Sequence, residues 1–383
     1  MDFDLSWILL GLPLAFVLGW VSSRLDLRQI RLEDRNTPKA YFRGLNYLLN
    51  EQQDQAIDAF IEAVQNDPDT SELHFALGNL FRRRGEYQRA VRVHEHLLSR
   101  GDLSQGDRHR AQHALALDFL KAGLLDRAEE ALRKLEGTPF EQEARLALLA
   151  NYERSRDWAL AAEVAEKLEQ AGQGNFSLRL AHYLCEQAAH ANSQGNDEQA
   201  HQLLQQAIER APQAARARLQ LAHLYAQQGQ QTQAQRLLLQ ALEHTPAAAP
   251  LIAGPLAEVS LALQQTATPF TRLQAIYDAS PALDVLDALV RLAPGNTPLT
   301  ERELYARHLA HAPSLVAATR WIAQEKLEHE QFHPQVQRAL DQAVQPLLRY
   351  RCAACGFEAS QHFWQCPGCQ TWDSYPACRV EEL

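Results

Sequence analysis

Residues 222–246 read AHLYAQQGQQTQAQRLLLQALEHTP, and the spacing of Ala222, Tyr225, Gly229, Ala234, Leu238, Ala241 and Pro246 within that stretch decides the fold. A small residue and an aromatic precede a glycine. Small and aliphatic residues then recur at helical intervals before a proline, which describes two short amphipathic helices joined by a tight turn. A small residue at the crossing point lets the paired helices approach, larger apolar side chains fill the groove between them, and proline ends the second helix. Working outward, Ala200 and Ala234 lie 34 residues apart, as do Gly44 and Gly78, and Ala56 and Ala90. That is the tetratricopeptide period.

The same grammar runs through residues 37–246. Gly44, Ala56, Phe60, Ala63 and Pro68 mark a first unit, and Gly78, Phe81, Gly85, Tyr87 and Ala90 a second. A third follows at Ala116, Phe119, Gly123 and Ala128, a looser fourth at Leu149, Tyr152, Trp158 and Ala161, and a fifth at Ala188, Ala200, Leu204, Ala207 and Pro212. After Pro246 the register weakens. Eight prolines from Pro246 to Pro313 predict short helices separated by forced breaks, so residues 247–345 read as degenerate repeats and a capping helix.

Stacked helix pairs form a superhelix with a concave face that suits an extended peptide or a partner helix, and the fold supplies no chemistry of its own. In the second unit Phe75, Asn79, Arg82 and Arg83 fall at positions that face such a groove, and they are the candidate partner contacts. The alternative for these four is a solvated helix face.

The two ends carry different signals. Leu5 to Ser23 is a run of nineteen uncharged residues, roughly 28 Å as a helix, so residues 1–23 read as a single membrane span. Asp2 and Asp4 precede it where a cleavable signal would be basic, which favours an uncleaved anchor. Within it Gly11, Ala15, Gly19 and Ser23 form a small-residue stripe suited to packing against another membrane helix. Arg24, Arg28, Arg31 and Arg35 make residues 24–36 a basic juxtamembrane segment, which predicts a cytoplasmic location for the bulk of the chain. The whole chain carries a net charge of −10, against nonspecific nucleic-acid binding.

At the other end Cys352-Ala-Ala-Cys355 and Cys366-Pro-Gly-Cys369 are two CxxC knuckles within residues 346–383. This spacing suits a tetrahedral four-thiolate site for one metal ion in a rubredoxin-like ribbon, with zinc favoured over iron by base rate. Gly356 and Gly368 suit the tight backbone that lets amides approach sulfur, and Phe357, Phe363, Trp364, Trp372 and Tyr375 are expected to form the ribbon's own small core. Cys185 and Cys378 are surplus to the set. His329-Glu330-Gln331-Phe332-His333 matches the HExxH pattern, but Pro334 is expected to stop a helix there, and no third-ligand pattern follows. The reading is all-α and not an enzyme: a tetratricopeptide-repeat superhelix with an N-terminal transmembrane helix and a small C-terminal zinc ribbon.

An anchor, a repeat array and a terminal ribbon in this order resemble the lipopolysaccharide assembly protein B family of Gram-negative inner-membrane proteins. The likeness is most specific in the basic stretch after the anchor, in the segment from Tyr41 to Asn50, and from Tyr350 to Trp372. The resemblance implies a single-pass protein of the bacterial inner membrane that restrains lipopolysaccharide synthesis. It would deliver the lipid A committed-step deacetylase to the membrane protease FtsH, alongside other inner-membrane lipopolysaccharide proteins. It also implies Cys352, Cys355, Cys366 and Cys369 as the metal ligands. A general membrane-tethered scaffold for envelope assembly complexes is the alternative.

Overall fold

The computed structural model describes residues 42–66, 70–324 and 330–383, together with Phe16, Val17, Trp20 and Ala40. Gly11, Ala15, Gly19, Ser23 and the basic segment 24–36 lie outside the described residues. Among the described residues no helix is long and apolar enough to cross a membrane. The chain divides into two compact units, residues 1–155 and 156–383.

In the first unit the described elements are α1 (residues 42–49), α2 (Gln53–Asn66), α3 (Ser71–Arg84), α4 (Tyr87–Ser99), α5 (Gln105–Ala122), α6 (Leu125–Arg133) and α7 (Glu141–Ser155). Gly85 and Gly123 end α3 and α5 in the left-handed conformation, φ +84° and +78°, a backbone that a residue with a Cβ adopts only under strain. The apolar positions of the repeat are the buried ones: Ala56, Phe60, Ala63 and Ala90 are fully enclosed.

One helix approach in this unit is made for a ring. Gly78 on α3 faces His94 on α4, and a Cβ on Gly78 would stand 2.5 Å from the imidazole. His94 is fully buried, and its Nδ1 lies 2.5 Å from Oδ2 of the equally buried Asp118 on α5, whose Oδ1 accepts from Arg82 at 2.9 Å. One carboxylate therefore joins three consecutive helices. As an acceptor between two donors it requires the His94 proton on Nδ1, which leaves Nε2 bare against Gly78.

The second unit contains α8 (Trp158–Gln170), α9 (Ser177–Ser193), α10 (Asp197–Arg210), α11 (Ala215–Gln227), α12 (Gln231–His244), α13 (Ala249–Ala262), α14 (Ala267–Ala279), α15 (Leu283–Leu292), α16 (Glu301–His311), α17 (Leu315–Ile322) and α18 (His333–Val344). A two-stranded antiparallel ribbon, β1 (Tyr350–Arg351) with β2 (Glu358–Ala359), pairs Tyr350 with Ala359. The expectation of a break at every proline fails at Pro255, which sits inside α13. Ile252, Ala253, Leu256 and Ala257 around it are all fully buried, so packing on the surrounding helices carries α13 through a residue that removes one backbone bond. Pro281, Pro294, Pro298 and Pro313 do lie between helices.

Gly78→Ala is expected to destabilise the chain by about 1–3 kcal/mol, read as a lower unfolding midpoint in urea, because the clash with His94 outweighs the roughly 1 kcal/mol that alanine gains in helix propensity. A midpoint that stays level or rises would mean the imidazole has room to move.

Candidate metal centre

The two cysteine knuckles repeat one backbone pattern. The N–H of Gly356 donates to the Cys352 carbonyl at 2.9 Å, and the N–H of Gln370 donates to the Cys366 carbonyl at 2.8 Å. The N–H of Cys352 donates to Phe357 O at 2.9 Å, and that of Cys366 to Thr371 O at 3.0 Å. Arg351 pairs with Glu358 as Gln365 bridges Trp372. The left-handed residue of each turn is the one after the second cysteine, Gly356 at φ +77° and Gln370 at φ +61°. Gly368, the glycine of the second knuckle, is not left-handed. A Cβ on it would meet Phe357 at 3.4 Å, an ordinary van der Waals contact.

These turns aim four sulfurs at one point. Cys352 Sγ lies 3.8 Å from Cys369 Sγ, Cys355 Sγ lies 3.6 Å from Cys366 Sγ, and all four fall within 4.8 Å of one another. A tetrahedron of thiolates bound at about 2.3 Å has edges of about 3.8 Å, whereas a disulfide would bring two sulfurs to about 2.05 Å. The residues fit a bound metal ion, with Cys352, Cys355, Cys366 and Cys369 as its ligands. Four thiolates suit zinc and iron alike. Hydroxyl oxygens of Ser374 and Thr371 stand 3.3 Å from Cys352 Sγ and 3.2 Å from Cys369 Sγ, positioned to orient those ligands. Such an ion would cross-link two turns in a module with little core of its own.

That core is smaller than the sequence predicts. Tyr350 and Tyr375 are buried in it with Phe363 packed alongside, but Phe357 is 44% exposed, and Trp364 and Trp372 turn to the repeats. Trp372 stacks on His182 of α9, ring centroids 4.7 Å apart and planes 14° from parallel, with Trp158 and Tyr183 meeting it edge-on at 5.9 and 6.0 Å. The next residue, Asp373, accepts from His182 Nε2 at 2.8 Å. Arg216 of α11 approaches His182 Nδ1 at 3.3 Å and pairs with Glu186 at 2.6 Å. Because a guanidinium only donates, Nδ1 carries the lone pair and Nε2 the proton. His182 is 2% exposed and Arg216 5%, so this is a built, desolvated contact.

The chain's last residues tie the ribbon down a second time. Arg379 holds Asp284 of α15 through two bonds of 2.8 and 2.9 Å and lies 4.2 Å over the Tyr350 ring. Glu381 accepts from the backbone N–H groups of Leu315 and Val316 at 2.6 and 3.1 Å, and Glu382 from that of Leu283 at 2.7 Å. Two carboxylates thus sit where α17 and α15 leave backbone donors unpaired.

The other sequence candidates fall elsewhere. Phe75 is 1% exposed, packed with Leu97 and Ala111 beneath Arg110, so it is a packing residue rather than a groove contact. Arg82 is committed to Asp118 and to Asn79 Oδ1, while Arg83 is exposed. Cys185 is buried on α9, and burial pushes its thiol up to about 12, away from reactivity. Cys378 is partly buried, and desolvation raises its thiol as well. Pro334 does not stop a helix as expected: it lies in the first turn of α18, where its missing N–H would be unpaired anyway. His333 therefore opens a helix rather than closing one, and His329 lies outside the described residues.

Residues 350–375 match the rubredoxin metal binding domain family, and residues 73–109 and 191–259 match tetratricopeptide repeat families. The chain is 29% identical to lipopolysaccharide assembly protein B of Escherichia coli over 386 residues, covering 98% of each, and 28% identical to the protein of that name from Haemophilus influenzae, covering 96% of each. Among solved structures, a tetratricopeptide repeat protein from Parabacteroides merdae aligns at 16% identity and a TM-score of 0.35, over 67% of this chain and 98% of its own. The resemblance to the lipopolysaccharide assembly protein B family holds along essentially the whole sequence.

Trp372→Ala is expected to keep one metal ion per chain by atomic absorption while lowering the thermal midpoint, a loss of about 1–3 kcal/mol from the stack on His182. An unchanged midpoint would mean the tryptophan contributes nothing to holding the ribbon.

Proposed function

We propose that this chain is a membrane-tethered adaptor of lipopolysaccharide assembly, which brings the lipid A committed-step deacetylase to the membrane protease FtsH and so limits lipopolysaccharide synthesis. The observation that carries the reading is the similarity to lipopolysaccharide assembly protein B over 98% of both chains, with the four-thiolate ribbon included. Residues 1–23 would anchor the protein in the inner membrane, with the repeats and a zinc-loaded ribbon on the cytoplasmic side. An adaptor of this kind needs no catalytic group. Holding a client beside a protease converts their encounter into an effectively intramolecular event, which raises its rate without new chemistry. Arg83 remains a proposed partner contact, and Gly11, Ala15, Gly19 and Ser23 a proposed packing stripe toward another membrane helix.

The ribbon's contact with His182 and Arg216 supports a further part of the reading: the docked ribbon completes the surface that holds the client.

With translation blocked, the deacetylase should decay more slowly in cells depleted of this protein than in cells that contain it. Unchanged decay would remove the adaptor reading and favour a general scaffold for envelope complexes. Cys352→Ser and Cys366→Ser should slow the same decay while the protein itself remains detectable in membranes; full client turnover by metal-free variants would separate the ribbon from client handling.

A further inference from the structure

Beside the ribbon's contact, the second unit holds a cleft of about 600 Å³ lined by residues of α9 to α13. Its volume lies in the range of about 300–1,000 Å³ usual for ligand sites. Alanines open it: Ala188, Ala222 and Ala226 stand where larger side chains would fill the space, and Leu238 and Val259 supply apolar wall. The inner helices that line it run on from the ribbon contact. His182 and Arg216, which hold Trp372 and Asp373, are on α9 and α11, and Ala189 and Gln220 line the cleft farther along the same two helices.

The polar lining is selective. Asn192 and Gln220 present amides, each able to donate and accept, which suits the N–H and C=O groups of a peptide backbone. Gln220 Oε1 is buried with no hydrogen-bond partner, an acceptor waiting for a donor. Among the described lining residues Glu258 is the only carboxylate, there is no lysine or arginine, and the one imidazole, His223, has its Nε2 2.9 Å from the Gln227 amide nitrogen. A groove built to hold a C-terminal carboxylate or an acidic segment would present cations, and this one presents the opposite charge.

We infer that this cleft is a docking groove for a peptide segment of a partner protein that carries small aliphatic side chains and at least one lysine or arginine. The aliphatic groups enter between α11 and α13, the segment's backbone N–H satisfies Gln220, and the cation pairs with Glu258. The inference deepens the adaptor reading by assigning the chemical class of the segment it holds, and it excludes acidic tails from this groove.

The test uses the purified full chain and two fluorescein-labelled peptides with amidated ends, one of leucine, alanine and lysine, the other with glutamate in place of each lysine. By anisotropy the lysine peptide should bind about two- to fivefold more tightly, the scale of one exposed ion pair. Glu258→Lys should reverse the preference, and Ala189→Phe, at the exposed rim, should abolish binding of both with an unchanged thermal midpoint. Equal binding of the two peptides, no binding of either, or a preference untouched by Glu258→Lys would overturn the inference. So would displacement of the lysine peptide by laurate without any charge preference, which would make the cleft an acyl-chain site. No deacetylase enters this assay, so failure here is distinct from failure of the decay experiment.

Discussion

The second unit depends on one buried imidazole. His182 has a lone pair at Nδ1 facing Arg216, a proton at Nε2 facing Asp373, and a ring face covered by Trp372. Every bonding direction is used, by partners from two distant segments, α11 and the ribbon. Removing the ribbon would strand a polar ring that is 2% exposed and uncover Arg216 beside it. The ribbon in turn takes its shape from two turns whose four thiolates converge, so the order of dependence runs from the cysteines through Trp372 and Asp373 to the inner helices of the repeats.

Magnitudes indicate which part of this contact dominates. Asp373 is partly exposed, side-chain accessibility 37%, so its bond to His182 contributes on the order of 1 kcal/mol. Trp372 presents a large apolar surface to three aromatic rings and a guanidinium, which is worth several times more in area alone. The tryptophan supplies adhesion and the aspartate fixes orientation. The terminal Arg379, Glu381 and Glu382 add direction rather than area, because bonds to Asp284 and to the free N–H groups of α15 and α17 admit only one placement of the tail.

Periodicity made the helices and the four ligands legible from sequence, since a 34-residue recurrence and paired CxxC turns are local patterns. What escaped was decided by contacts between distant residues. His182 and Asp373 are 191 positions apart, and nothing in either neighbourhood marks them as partners. The one available hint was an excess: a module this short cannot enclose Phe357, Phe363, Trp364, Trp372 and Tyr375 together, so some had to be buried elsewhere. Pro255 failed as a break because burial on both sides of it outweighed a missing backbone bond. Phe75 failed as a groove contact because the neighbouring helix, through Ala111, closed over it.

The two units solve the same problem in different ways. Each buries a histidine whose ring must find a carboxylate. In the first unit the repeat itself provides Asp118, and the other ring nitrogen ends blindly on Gly78, so the set is sealed inside three helices. In the second unit α9 and α11 provide Arg216 and Glu186 but leave His182 Nε2 turned outward, and the carboxylate arrives on the ribbon. A repeat that could have closed on itself is instead completed by a metal-binding module. His182 Nε2 therefore finds its acceptor only when that module is folded and docked, which makes the integrity of the four-cysteine site a structural condition on the repeat surface beside it.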